Sequence, residues 1–76
     1  MKKVNTTTIT RYASGEWYID IVESRDTYEA WIQHRRFGVS ELMFGMPKEQ
    51  QTRDEFMECV SAVLPDYKRS YRENIY

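Results

Sequence analysis

A chain of 76 residues that is 41% hydrophobic and 30% charged, with only three Gly and two Pro, has the composition of an ordinary globular protein and not of a disordered or low-complexity one. Its size predicts a single domain over residues 1–76 and argues against a deep active-site cleft, because a fold this small buries only about 60% of its unfolded surface. The formal net charge is −1, split as +1 over residues 1–40 and −2 over the rest, so no strongly basic face supplies the bulk attraction behind non-specific nucleic-acid binding.

Asn5 to Tyr12 is rich in β-branched residues, and Ala13-Ser14-Gly15 reads as a three-residue hairpin loop with Gly15 in the left-handed position. That loop sets Ile9 across from Ile19 and Thr7 across from Ile21, keeping apolar residues on one face. A two-residue loop would set Ile9 against Asp20. The second strand, Glu16 to Val22, alternates strictly, with Trp17, Ile19 and Ile21 on one side and Tyr18, Asp20 and Val22 on the other. Glu23-Ser24-Arg25-Asp26 is a polar connection built around a type I turn. A third strand from Thr27 to near Arg35 then pairs Trp17 with Ile32, Ile19 with Ala30 and Ile21 with Tyr28. On its other side Tyr18 faces Trp31 and Asp20 faces Glu29.

Past Arg35-Arg36-Phe37-Gly38 the alternation is lost, and Leu42-Met43-Phe44 is either a short fourth strand or an apolar loop closing the core. Gly45-Met46-Pro47 is a breaker, and Lys48 to Gln51 is a polar connector. Thr52-Arg53-Asp54-Glu55 fits the capping box, in which the Thr hydroxyl and the Glu carboxylate each satisfy a free backbone N–H at a helix start. The helix that follows places Phe56, Cys59, Val60, Val63 and Leu64 on one stripe and Asp54, Glu58 and Ser61 in water. Pro65 disfavours helical geometry at Leu64 and suits the first turn of a new helix. Tyr67, Tyr71 and Ile75, four residues apart, therefore predict a second, short C-terminal helix. The expected fold is α+β: an antiparallel β-meander of three strands, or four if Leu42 joins, packed through Trp17, Ile19 and Ile21 on the capped α-helix.

The face carrying Tyr12, Tyr18, Val22 and Trp31, interleaved with Thr8, Thr10, Asp20, Glu29 and Gln33, is the first candidate surface. Exposed aromatic rings on a sheet anchor protein partners or stack bases. The competing reading makes Tyr18 and Trp31 a stabilising cross-strand pair, partly covered by the C-terminal helix. Tyr67 and Tyr71 divide in the same way between an interface stripe and internal packing. Asp20 and Glu29, placed opposite one another, would repel. They lack the further oxygen ligands or the cleft that a calcium site or a glycosidase needs, and Arg11 or Arg35 can relieve them at the surface.

His34, Arg35 and Arg36, joined by Arg11 and by Lys2 and Lys3, form a basic cluster that could hold phosphates through forked hydrogen bonds. Against that, Asp20 and Glu29 sit where a nucleic-acid-reading face would carry cations. A Cys59–His34 dyad is disfavoured because Cys59 belongs to an apolar helix stripe, and one His with one Cys falls short of a zinc ligand set. The expectation is therefore no catalytic residue, no metal and no cofactor. The single Cys59 rules out an intrachain disulfide and suits a reducing compartment. Met1 is followed by lysines and a threonine run with no apolar stretch, which predicts a cytoplasmic chain without membrane association.

Tyr28-Glu29-Ala30-Trp31, Leu42 to Lys48 and Thr52 to Phe56 resemble stretches of small proteins of phages and bacterial mobile elements. The resemblance implies neither an enzyme nor a binding residue. The function expected from the residues is a small non-enzymatic module that binds a protein partner, or a second copy of itself, through Tyr12, Tyr18 and Trp31 or through Tyr67 and Tyr71. The alternative is nucleic-acid binding through His34, Arg35, Arg36 and Arg11.

Overall fold

A computed structural model describes residues 7–75, with side chains through Tyr71. The start of the first expected strand at Asn5, the lysines Lys2 and Lys3, and the Ile75 side chain lie outside the described residues. Four strands, β1 (Thr8–Ser14), β2 (Trp17–Glu23), β3 (Thr27–His34) and β4 (Ser40–Pro47), are followed by one helix, α1 (Arg53–Ile75). They form a single antiparallel sheet in the order β1-β2-β3-β4, so the fold is α+β and the segment around Leu42 is a full strand.

The first hairpin differs from expectation. Ser14 pairs with Trp17, which leaves Gly15 and Glu16 as a two-residue loop. Gly15 has φ of 61°, and among the described residues no non-glycine residue has positive φ, the pattern of a type II′ turn with Gly first. The turn matches the right-handed twist of the flanking strands, which a type I or II turn would splay. The resulting register sets Ile9 opposite Val22, Arg11 opposite Asp20 and Tyr12 opposite Ile19. Both β1 faces are thereby exchanged: Tyr12, Thr10 and Thr8 move to the core side, and Ile9, Arg11 and Ala13 to the other, because the partner of Ile9 moves by three residues, from Ile19 to Val22, and an odd offset in pairing flips every side chain.

Between β2 and β3 the register is offset by two residues from the expected one. Trp17 lies opposite His34, Ile19 opposite Ile32 and Ile21 opposite Ala30. An even offset preserves the faces, so the alternation in β2 and β3 holds. The connection is Ser24 to Asp26, closed by the Ser24 N–H donating to the Thr27 carbonyl at 3.0 Å and by a 2.6 Å contact between the two hydroxyls. β4 carries a bulge. Ala30 pairs with Phe44 and Trp31 with Leu42, leaving Met43 without an opposite residue. The extra residue turns Met43 into the core, where it is 6% exposed, and this interrupted alternation hid the strand.

The capping box forms as expected: the Thr52 N–H donates to Glu55 Oε1 at 2.9 Å, and the Glu55 N–H to Thr52 Oγ1 at 3.2 Å. The helix then runs through Pro65 without ending, which corrects the expected second helix. The proline removes one backbone donor and crowds the carbonyl of Ser61; both residues are exposed, so water can solvate that carbonyl. The apolar positions Phe56, Val60, Val63, Leu64, Tyr67 and Tyr71 keep one helical phase across it and all belong to or pack against one core. A break would have thrown Tyr67 and Tyr71 off that face.

The helix lies along the sheet face formed by Trp17, Ile19, Ile21, Tyr28, Ala30 and Ile32, all buried. Near its start Phe56 stacks on Tyr28 at 5.2 Å and meets Phe44 at 5.1 Å. Near its end Tyr71 meets Trp17 edge-on at 5.2 Å. The fifteen-residue step from Phe56 to Tyr71 spans about 22 Å of helix, close to the length of β3. Burial of Phe56, 0% exposed, contributes about 1.5–3 kcal/mol. With the single helix on this side, no described element packs on the other face of the sheet.

Candidate functional site

The uncovered face is a small grid in which opposed residues share a side. Its rows are Ile9, Val22 and Glu29; Arg11, Asp20, Trp31 and Leu42; and Ala13, Tyr18, Gln33 and Ser40. Tyr18 and Trp31 are both present, half-buried among their neighbours, but they are diagonal rather than opposite: Tyr18 faces Gln33 and Trp31 faces Asp20. Ile9 is 64% exposed and Leu42 50%. They frame the aromatic pair with apolar surface at the two edges of the sheet.

A polar network crosses the middle of the grid. Arg11 holds Asp20 in a forked arrangement, Nε to Oδ1 at 2.8 Å and Nη2 to Oδ2 at 2.9 Å, and Nη2 also donates to Gln33 Oε1 at 3.2 Å. The hydrogen bond to Asp20, with the carboxylate's charge, raises the Arg11 pKa above its ordinary value. The guanidinium also lies over the Tyr18 ring at 4.5 Å, and Arg35 approaches the same ring at 5.6 Å. Trp31 Nε1 donates to Glu29 Oε1 at 3.2 Å. The expected opposition of Asp20 and Glu29 is not found: Asp20 faces Trp31, Glu29 faces Val22, and each carboxylate has its own donor.

The other residues singled out from sequence have different placements. Tyr12 is on the helix side of β1, and its hydroxyl accepts from Arg53 Nη2 at 3.1 Å, so it ties the edge strand to the start of α1. Tyr67 packs against the core. Tyr71 is 1% exposed, and its hydroxyl donates to the Val39 carbonyl, so the tyrosine stripe is internal packing and not a displayed surface. His34 is 5% exposed. Its ring meets Trp17 edge-on at 4.7 Å and tilts on Phe37 at 4.9 Å. Nδ1 accepts the Arg36 N–H at 3.1 Å, and Nε2 lies 3.4 Å from Glu16 Oε2. Among the described residues of the basic cluster, Arg35 and Arg36 are the ones exposed at this sheet end, beside a shallow hollow lined by Glu16, His34, Arg35 and Arg36.

Ile9, Arg11 and Leu42 belong to the open face; from sequence Arg11 reads as a cation able to relieve Asp20 and Glu29 and as a member of the basic cluster, and neither Ile9 nor Leu42 is placed on that face. A signal was available for Ile9 and Arg11, since Gly15-Glu16 is the Gly-X pair that a type II′ hairpin demands. Leu42 required the bulge to be known. Cys59 Sγ accepts from Gln51 Nε2 at 3.4 Å, while the His34 nitrogens face Arg36 and Glu16. Among the described residues no group of three or more His, Cys, Asp and Glu is placed to hold a metal ion. No helix among them is long and apolar enough to cross a membrane. Comparison of the chain with protein-family models, with curated proteins and with solved structures finds no match.

Proposed function

We propose that the chain is a non-enzymatic module that binds a protein partner through the open face of its sheet, with Trp31 and Tyr18 as anchors. The observation that carries this reading is the one-sided packing of α1, which leaves two large aromatic rings, Ile9, Val22 and Leu42 on a face that no described element covers. Rings of this kind give large contact area at low entropic cost and dominate interface energetics. Arg11, Asp20 and Gln33 are already organised by one another, so a partner meets a preformed polar centre and little ordering entropy opposes docking.

The test is the double substitution Tyr18→Thr and Trp31→Thr, which keeps β-propensity on the strands. A partner identified by mass spectrometry after capture on the wild-type chain should bind the purified protein directly and shield Trp31 from quencher. The double variant, folded by circular dichroism, should lose it. Undiminished binding of the purified partner by the variant refutes the reading.

A second reading, nucleic-acid binding, rests on Arg35 beside the Tyr18 ring with Arg36 next to it. Arg11 is committed to Asp20 and His34 is interior, so two exposed arginines carry it. It requires affinity that falls steeply with salt. Polarisation titrations with single-stranded and duplex DNA and RNA at low salt separate it from the first.

A further inference from the structure

The two edges of the sheet are not alike. β4 is interrupted by the bulge at Met43 and ends on Pro47, two devices that spoil an edge for pairing with another strand. β1 has neither. Its sequence from Thr8 to Ser14 contains no proline, no bulge and one charge, Arg11, whose guanidinium is drawn onto the open face by Asp20. The hydrogen-bond phase of β1 follows from its neighbours. The Arg35 N–H donates to the Glu16 carbonyl at 2.9 Å, so even-numbered residues of β2 direct their backbone groups to β3 and odd-numbered ones to β1. Through the pairs Trp17 with Ser14, Ile19 with Tyr12 and Ile21 with Thr10, the even residues of β1 bond inward. The N–H and C=O groups of Ile9, Arg11 and Ala13 point away from the sheet.

We propose that β1 pairs antiparallel with β1 of a second copy about a two-fold axis at Thr10, joining two four-stranded sheets into one of eight. The exposed groups are backbone donors and acceptors at strand spacing, so the occupant must itself be an extended strand with a free edge. β1 satisfies that requirement for its own copy, and an isologous contact closes the assembly at two chains. Any axis on a residue of β1 keeps outward residues opposed, and one at Tyr12 carries Ile9 past the end of the partner strand to its turn at Gly15. An axis at Arg11 sets two guanidiniums face to face, and an axis at Ile9 carries Ala13 past Thr7. An axis at Thr10 does neither: it places Ile9 against the aliphatic stem of the partner's Arg11, Thr8 against the partner's Tyr12 and the two Thr10 side chains together.

The contact gives Ile9, the most exposed of the large hydrophobic residues at 64%, an apolar neighbour. It leaves Tyr18 and Trp31 free and brings both copies of that face to the same side of the eight-stranded sheet. This assembly does not depend on the partner-binding reading above. A contact confined to one strand pair falls at the weak end of interface sizes, below about 1,200 Å² in total, so the dimer forms and dissociates with concentration.

Sedimentation velocity across micromolar to millimolar concentrations tests the assembly. The wild-type chain should move from monomer toward dimer. Ile9→Lys, which sets two further cations opposite the two arginines, should remain monomeric with unchanged circular dichroism. In a Cys59→Ala background, Thr10→Cys should cross-link under mild oxidation, since residues in such a pair have Cα atoms about 4.5 Å apart, within disulfide reach. Adding Ile9→Lys should suppress the cross-link. A wild-type chain monomeric at every concentration overturns the proposal, as does a dimer indifferent to Ile9→Lys or an absent cross-link. Tyr18→Thr with Trp31→Thr should dimerise like the wild type; loss of the dimer there would place the contact on the open face and also overturn the edge pairing. Failure of partner binding with dimerisation intact refutes only the earlier reading.

Discussion

Truncating Tyr71 tests the feature of the fold that departs most from local sequence rules, the passage of α1 through Pro65. The ring is 1% exposed and stands edge-on to Trp17 at 5.2 Å and 85°, and its hydroxyl donates to the Val39 carbonyl. Tyr71→Phe keeps the ring and removes one hydrogen bond, a loss of about 1 kcal/mol. Tyr71→Ala also removes the ring and leaves a cavity beside Trp17, which costs about 3–5 kcal/mol for a buried aromatic. A domain of 76 residues has a total stability of roughly 4–11 kcal/mol at ~0.05–0.15 kcal/mol per residue. Tyr71→Ala should therefore leave the protein marginal, and Tyr71→Phe should leave it comfortably folded. Urea titrations read by far-ultraviolet ellipticity measure both, and with a slope near 1 kcal/mol per molar, Tyr71→Phe lowers the midpoint by about 1 M. A cost below about 1 kcal/mol for Tyr71→Ala would mean that the helix does not carry this ring onto Trp17 and that the chain breaks at Pro65 after all.

The remaining predictions concern the cap, the buried histidine and the two tryptophans. The backbone N–H and the hydroxyl of Thr52 hold Glu55 below the ordinary glutamate value of 4.5, so the folded chain binds that proton less readily than the unfolded one. Its stabilisation is full above the ordinary value and is lost as pH falls through the lowered one; Glu55→Gln should flatten an acid titration of stability over that interval. Thr52→Ala, which removes the capping hydroxyl, should cost about 1 kcal/mol in the same denaturation assay. His34→Leu keeps the volume but removes the acceptor that Nδ1 offers the Arg36 N–H at 3.1 Å; Arg36 is exposed, so water can reach the freed donor and the loss is about 0.5–1.5 kcal/mol, visible as a drop of about 4–8 °C in thermal midpoint for each kcal/mol. Trp17 is 3% exposed and Trp31 is half-buried at a face that no described element covers. Trp31→Phe should therefore remove the acrylamide-sensitive, red-shifted part of the emission; equal quenching before and after would contradict the placement.

The residues that were legible in advance are those whose signal is local. Alternation alone put Trp17, Ile19 and Ile21 on one face and Tyr18, Asp20 and Val22 on the other, since a strand repeats every two residues whatever it pairs with. Thr52 and Glu55 marked the helix start because a capping box is complete within four residues. Tyr18 and Trp31 were recognised as lying away from the core for the same reason. Placing Tyr12 beside them failed because its face depends on where the turn closes, and moving the loop from Ala13-Ser14-Gly15 to Gly15-Glu16 changes the parity of all of β1.

Tertiary structure decided the rest. The pairing of Asp20 with Arg11 instead of against Glu29 is set by two registers jointly, and no single strand encodes either. The bulge at Met43 lets Leu42 and Phe44 serve opposite faces, which a sequence pattern registers only as lost alternation. Pro65 is a local instruction to stop. A sheet long enough to engage the stripe from Phe56 to Tyr71 outweighs it, because breaking the helix would lose the burial of Tyr71, while the missing backbone bond lies on the exposed side, within reach of water. That continuity sends both tyrosines of the stripe to the Trp17 side and leaves Trp31 uncovered by any described element. Local periodicity thus determined which side of the sheet each residue of β2 and β3 takes. Whether the second side is covered depended on packing between distant segments.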